Sequence, residues 1–113
     1  MPKTDTFESE QLTDAVYFIL LSLVEVRHGY AIMQFISEAT NNRVSMGPGT
    51  LYTLLKKLDK SEWIAQKDLT SDRKKQYQIT PLGMDILIKE LKRRQLMVQL
   101  GENILHEVGI EDV

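Results

Sequence analysis

The segment Ser45–Ile64, which reads SMGPGTLYTLLKKLDKSEWI, restricts the fold of this chain more than any other part. Pro48 lies between two glycines, and a proline suits the first turn of a helix because no N–H is needed there. Leucines follow at spacings of three and four, which predicts a helix with one buried face. That face comprises Leu51, Leu54, Leu55 and Leu58. The other faces carry Thr50, Tyr52, Thr53, Lys56, Lys57 and Lys60.

The residues after this helix change to the period of a strand. Positions 64–69 alternate between two faces, positions 70–72 have turn composition, and Gln76–Ile79 alternate again. A hairpin is therefore predicted, with Arg73, Lys74 and Lys75 at or near its turn. Two short strands are marginal alone, so the hairpin must pack on the helices, and Tyr77 is expected to pack in its base.

Three further helices are predicted. The first covers Glu10–Val26 with Ser9 as N-cap, and it is apolar on most faces, which favours burial in its own core and against a second subunit. The next covers Tyr30–Asn41, with Asn41-Asn42 as a stop signal. The last begins at Thr80-Pro81 and reaches about Val108, a length of roughly 40 Å. Its apolar stripe exceeds what so small a body can cover, so a homodimer is expected. The expected dimer contacts are Leu12, Val16, Leu87, Leu91, Val98 and Leu105.

These elements together predict a mainly α winged helix-turn-helix with a two-stranded wing and a long C-terminal dimerisation helix. Residues 1–80 would form the DNA-binding domain and residues 81–113 the dimerisation helix, within one compact domain overall. A helix beside a cationic hairpin is the arrangement that places the helix in a major groove and the wing on the backbone. Double-stranded DNA with a two-fold operator is therefore the expected partner.

The charge distribution supports this partner although the chain has a net charge of −2. Residues 40–80 carry 8 basic and 4 acidic side chains (+4), whereas residues 1–39 carry 2 basic and 6 acidic ones (−4). The chain contains no cysteine and only two histidines, so neither a disulfide framework nor a metal site is expected. No catalytic constellation has useful spacing, so no enzymatic activity and no cofactor are expected. Without a signal peptide or a membrane span, the chain is expected to be cytoplasmic.

Three motifs in this order resemble the PadR family of bacterial transcriptional regulators. They read HGYAI at His28–Ile32, GTLYTLLKKLDKSEWI at Gly49–Ile64 and DRKKQYQITPLG at Asp72–Gly83. The resemblance covers about Leu12–Leu91 and implies a dimeric winged-helix repressor, often tuned by a small ligand. The short tail is similar to that of compact members. Some of these carry a tryptophan midway along the last helix, which stacks a flat ligand between the subunits. This chain reads Lys92-Arg93-Arg94-Gln95 there, so the resemblance does not imply a flat aromatic effector.

Several assignments have a plain structural alternative. The expected DNA contacts are Gly49, Thr50, Tyr52, Thr53, Lys56, Lys57, Arg73, Lys74 and Lys75. Tyr52 would donate to phosphate or rest against a sugar or thymine methyl, unless it is a partly buried core tyrosine. Arg93 and Arg94 either solvate the last helix or bind an acidic effector. The alternative for the whole chain is a winged-helix module that binds proteins and not DNA.

Overall fold

The computed structural model describes residues 11–67 and 75–113. Within these ranges it has four helices and three strands. The helices are α1 (Asp14–Ser22), α2 (Gly29–Ala39), α3 (Pro48–Lys60) and α4 (Pro81–Glu107). The strands are β1 (Arg27–His28), β2 (Ile64–Lys67) and β3 (Gln76–Ile79). The mainly helical winged helix-turn-helix with a long C-terminal helix is confirmed.

Helix α1 is shorter than predicted at both ends. Thr13 has an extended backbone, and its side chain accepts a hydrogen bond from the N–H of Val16, so the helix begins at Asp14 and not at Glu10. At the other end, Arg27 Nε donates to the carbonyl of Ser22 over 2.9 Å. The chain turns after Ser22 to enter β1, so the prediction that this helix continues to Val26 is wrong. Ser9 lies outside the described residues.

Helix α2 begins one residue earlier and ends two residues earlier than predicted. The Nδ1 atom of His28 accepts from the N–H of Ala31 over 3.3 Å, so His28 is the N-cap. At the C-terminus, Asn41 and Asn42 have φ angles of 53° and 64°. The N–H of Asn42 donates to the carbonyl of Ser37 over 2.7 Å, which is a Schellman closure. The predicted stop at these asparagines is confirmed.

The sheet has three antiparallel strands in the order β1-β3-β2. Ile64 pairs with Ile79, and Lys67 pairs with Gln76, so the predicted hairpin is present. Strand β1 adds to it through pairs of Arg27 with Tyr77 and of His28 with Gln76. The two-stranded wing therefore belongs to a three-stranded sheet, and β1 was not predicted because a strand of two residues is too short to show an alternating pattern.

The core lies where the three short helices meet the sheet and the first half of α4. Ile19, Leu20, Ile32, Ile36 and Leu51 are fully buried there. Around them lie Leu12, Leu23, Leu55, Leu58, Ile64, Tyr77 and Leu87, each at most 7% exposed. This single core orients α3 and the sheet relative to each other.

Helix α4 begins and ends close to the predicted residues. Thr80 is the N-cap, and its Oγ1 accepts from the N–H of Gly83 over 3.0 Å. Gly109 has a φ of 95° and follows the last turn, where the N–H of Ile110 donates to the carbonyl of Leu105 over 2.9 Å. With 27 residues the helix is about 40 Å long. It contributes to an elongated shape of 57 × 40 × 23 Å.

Candidate nucleic-acid interface

Helix α3 presents one polar face to solvent and one leucine face to the core. Leu51, Leu55 and Leu58 are buried, and Leu54 is half-buried. All six α3 positions predicted to contact DNA are exposed, namely Gly49, Thr50, Tyr52, Thr53, Lys56 and Lys57. The exposed face therefore combines two hydroxyls, a phenol and two ammonium groups, all of which are hydrogen-bond donors.

The beginning of α3 presents free backbone donors. Its N-cap is Gly47, which has no side chain to accept a hydrogen bond, and Pro48 is the first helical residue. Among the described residues, the N–H groups of Gly49 and Thr50 have no acceptor. Exposed N–H groups at the positive end of a helix dipole are suited to an anion such as a phosphate.

Tyr52 is half-exposed and lies against the beginning of α2. Its side chain is 50% accessible, so it is neither a core residue nor a freely solvated one. The phenol lies directly over Gly29, the first residue of α2. None of the hydrogen bonds between described residues uses the hydroxyl of Tyr52.

Strand β3 connects the wing to the core through Tyr77. This side chain is only 6% exposed, as expected for the base of the wing. Burial raises the pKa of Tyr77, and the negative charge of Asp59 and the neighbouring Tyr52 act in the same direction. Of the three wing cations, Lys75 is exposed immediately before β3. Arg73 and Lys74 lie outside the described residues.

A cleft of about 850 Å³ lies between α3, the beginning of α2 and the sheet. It is lined by His28, Gly29, Tyr30, Tyr52, Leu55, Lys56, Asp59, Gln66, Lys75 and Tyr77. Tyr30 is 66% exposed at its edge, and sequence reasoning did not single out this residue. The cleft joins the polar face of α3 to the wing, so that Lys56 and Lys75 border one continuous surface.

A buried ionic cluster joins α4 to the beginning of the described chain. Glu90 is fully buried and accepts from Arg93 Nε over 3.0 Å and from Arg94 Nε over 2.6 Å. The N–H of Leu12 donates to the same carboxylate over 3.2 Å, and Arg94 Nη2 donates to the carbonyl of Leu12 over 3.1 Å. The hydrogen bond from Arg93 is the main cause that lowers the pKa of Glu90 to about 2, against the opposing effect of burial.

This cluster was not predicted and revises the interpretation of two arginines. Arg94 also pairs with Asp14 over 2.9 Å, and its guanidinium carbon lies 4.2 Å from the ring centre of Tyr17. Arg93 and Arg94 are therefore ion-paired with Glu90 within the fold instead of only solvating the helix. One sequence signal could have predicted this cluster. Glu90 lies three residues after Leu87 of the apolar stripe, and Arg93 and Arg94 follow it at the spacing of one helical turn.

The six residues expected at a dimer interface fall into two groups. Leu12 and Leu87 belong to the core of their own chain, with 7% and 5% exposure, and Val16 is half-buried beside them. Leu91, Val98 and Leu105 are 42%, 60% and 41% exposed. Only this second group has substantial area left for a partner.

Two further observations concern the described residues as a whole. None of their helices combines the length and the apolar character that a bilayer span needs. Their histidine and carboxylate side chains form no group of three that could hold a metal ion.

The family model for PadR-like transcriptional regulators matches residues 19–89, which include α2, α3, the sheet and the beginning of α4. The chain belongs to the PadR-like family. A sequence relative is an uncharacterized protein of Lysinibacillus sphaericus, which is 40% identical over 75 residues, covering 64% of this chain and 69% of that protein. The resemblance expected from the three motifs is thereby confirmed.

Three solved structures, two of them of transcriptional regulators, share the fold. A PadR family regulator from Eggerthella lenta has a TM-score of 0.68 at 19% identity, with 90% of this chain and 86% of that chain covered. A regulator from Clostridium thermocellum has a TM-score of 0.67 at 24% identity, with 88% and 94% covered. RosR from H. salinarum has a TM-score of 0.62 at 22% identity, with 84% and 96% covered. At these identities the likeness concerns the fold.

Proposed function

We propose that this PadR-like regulator is a homodimeric, sequence-specific DNA-binding repressor, in which α3 enters the major groove and the wing contacts the adjacent backbone. The observation that carries the proposal is the exposed donor face of α3. It joins free N–H groups at Gly49 and Thr50 to the side chains of Tyr52 and Lys56 on one surface. Backbone and hydroxyl donors position a protein on phosphates, and side chains along the helix read base edges.

The electrostatics of the described residues favour the same surface. Lys56 borders the cleft beside α3, and Lys75 borders it from the wing. Arg93 and Arg94, by contrast, have their charge balanced by Glu90 and Asp14 in the ionic cluster. Lys56 and Lys75 form no ion pair with a described residue, and ammonium groups suit phosphates because they need no fixed geometry.

The second half of α4 supports a homodimer. The buried residues of α4 all lie in the first half of the helix, namely Gly83, Leu87 and Glu90. Leu105 lies five turns beyond Leu87 on the same face but is 41% exposed, and Val98 on that face is 60% exposed. The apolar face thus continues beyond the body of the chain, and a second copy of α4 would cover it. Residues 81–113 would then form the dimer, and residues 1–80 of each copy would reach one half-site, so that the bound dimer excludes other proteins from the operator.

DNA binding is tested by selecting duplexes from a random-sequence library with the purified protein and measuring affinity by fluorescence anisotropy at several salt concentrations. Each phosphate contact contributes about one to the slope of log affinity against log salt. Lys56→Ala and Lys75→Ala should each remove one contact per protomer and reduce the slope of the dimer by about two. Lys89→Ala is the matched control, because it removes the same charge from an exposed position on α4.

Two outcomes would contradict the proposal. If no duplex is enriched above background at moderate salt, the chain is not a DNA-binding protein, and the alternative of a protein-interaction module gains weight. If Lys89→Ala reduces the slope as much as Lys56→Ala, the loss reflects net charge alone, and α3 is not the contact surface.

A further inference from the structure

Gly29 lies at a position where three elements of the candidate interface meet. It is the first residue of α2 and follows directly on β1. Strand β1 is paired with β3, where Arg27 faces Tyr77 and His28 faces Gln76. The location of Gly29 relative to the wing is therefore set by the sheet, and Tyr52 of α3 lies on its other side.

The contact between Gly29 and Tyr52 leaves no room for a side chain. A Cβ atom on Gly29 would lie 2.2 Å from the hydroxyl oxygen of Tyr52, 2.7 Å from Cζ and 3.0 Å from Cε1. Gly29 does not have a positive φ, so its backbone is open to any residue. Only the packing of Tyr52 requires a glycine here.

Packing on Gly29 determines where the Tyr52 hydroxyl lies. Half of the side chain is exposed, and its hydroxyl makes no hydrogen bond with another described residue. The hydroxyl end of the ring lies against the backbone of Gly29, which limits the rotation of the side chain. A phenol held in this way loses less conformational entropy on binding than a free one.

We propose that Gly29 is a positioning residue for DNA binding, since the absence of a side chain there lets the hydroxyl end of Tyr52 lie against α2, in the cleft that Lys56 and Lys75 also line. Tyr52 is assigned to DNA only by the proposed function, so the role of Gly29 rests on that proposal. Gly29 itself need not touch the DNA. It acts by coupling the orientation of Tyr52 on α3 to the sheet that carries the wing.

Gly29→Ala is the variant that tests this role. The obstructing atoms belong to the movable end of a side chain, so we expect the fold to remain and the Tyr52 ring to be displaced. Anisotropy with a labelled duplex selected by the wild-type protein should show an affinity loss of about ten-fold per protomer, hence about 100-fold for the dimer, as expected for one hydrogen bond to a charged group in each copy. Tyr52→Ala should show a similar loss. The double variant should be no weaker than Tyr52→Ala alone, because both changes remove the same contact.

The control and the contrary outcomes separate this role from general damage. Gln34→Ala changes an exposed residue of the same helix and should bind like the wild type. If Gly29→Ala lowers the free energy of unfolding in urea, adding Tyr52→Ala to it must restore that stability, because the obstructing ring is then absent. If stability is not restored, the packing of Tyr52 on Gly29 is refuted. Two outcomes would refute the positioning role but not the proposed function. In the first, Gly29→Ala binds DNA like the wild type although Tyr52→Ala binds weakly. In the second, the affinity losses of the two single variants multiply in the double variant. Absence of duplex binding by the wild-type protein refutes both this role and the proposed function.

Discussion

Replacing Glu90 with glutamine removes the negative charge on which the junction between α4 and the beginning of α1 depends. Glu90→Gln keeps the size of the side chain, but its amide nitrogen is a donor that would face the donors of Arg93 and Arg94. The backbone of Leu12 would also lose one charged partner. We expect the folded state to be destabilised strongly, although the variant adds no volume to the core.

The magnitude follows from the pKa of Glu90. Its fall from 4.5 to about 2 corresponds to about 3 kcal/mol, because each pKa unit is worth about 1.4 kcal/mol. Removing one partner of a buried ion pair typically costs a similar amount, about 3–5 kcal/mol. The side chains of Arg93 and Arg94 are 32% and 24% exposed, so water recovers part of their hydration. We therefore expect Glu90→Gln to lower the free energy of unfolding by about 2–3 kcal/mol at neutral pH.

The pH dependence provides a second, independent reading. Because the pKa is lower in the folded state, the carboxylate contributes its stability above 4.5 and loses it as the pH falls towards 2. The wild-type protein should therefore lose this stability in that range, and the difference from Glu90→Gln should shrink. Urea unfolding followed by far-UV circular dichroism, at one fixed protein concentration, measures both quantities.

Glu38→Gln is the matched control, because Glu38 is exposed on α2 and undergoes the same chemical change. We expect its effect to stay within about 0.5 kcal/mol. An equal loss in both variants, or a wild-type advantage over Glu90→Gln that stays constant from pH 5 down to the acid limit, would show that the carboxylate is not the origin of the effect.

Two further changes test the packing of α4. Gly83→Ala should destabilise the fold by about 2 kcal/mol in thermal or urea unfolding, because its Cβ would lie 2.1 Å from the carbonyl oxygen of Trp63, a backbone atom that cannot turn away. The Cβ of Gly101→Ala meets no atom of the described residues of its own copy within 4 Å, so the change should instead stabilise the helix by up to about 1 kcal/mol; similar losses in both variants would contradict this account. Val98→Glu should convert the proposed dimer to a monomer in light scattering, whereas Gln99→Glu adds the same charge one residue further and should leave the dimer intact. A dimer that persists in Val98→Glu would exclude this face of α4 as the interface.

Signals that act within a few residues were sufficient to predict much of the fold. Pro48 and Thr80-Pro81 mark the beginnings of α3 and α4, because proline in a first turn and a threonine cap depend only on their immediate neighbours. The leucine spacing in α3 correctly separated the buried face from the exposed one. The same local rules misplaced α1, since Arg27 and the entry into β1 determine where that helix ends.

The identity and order of the main elements, the family and the polar face of α3 could therefore be predicted from the residues alone. The contacts between residues far apart along the chain became visible only in the folded structure. Strand β1 is held by its pairing with β3, and Glu90, besides its two arginine partners on α4, accepts from the backbone of Leu12, 78 positions away. The packing of Tyr52 on Gly29 is likewise a contact between residues far apart along the chain. Such contacts leave no periodic trace in the sequence, because the folded core brings their partners together and each partner alone follows no local pattern.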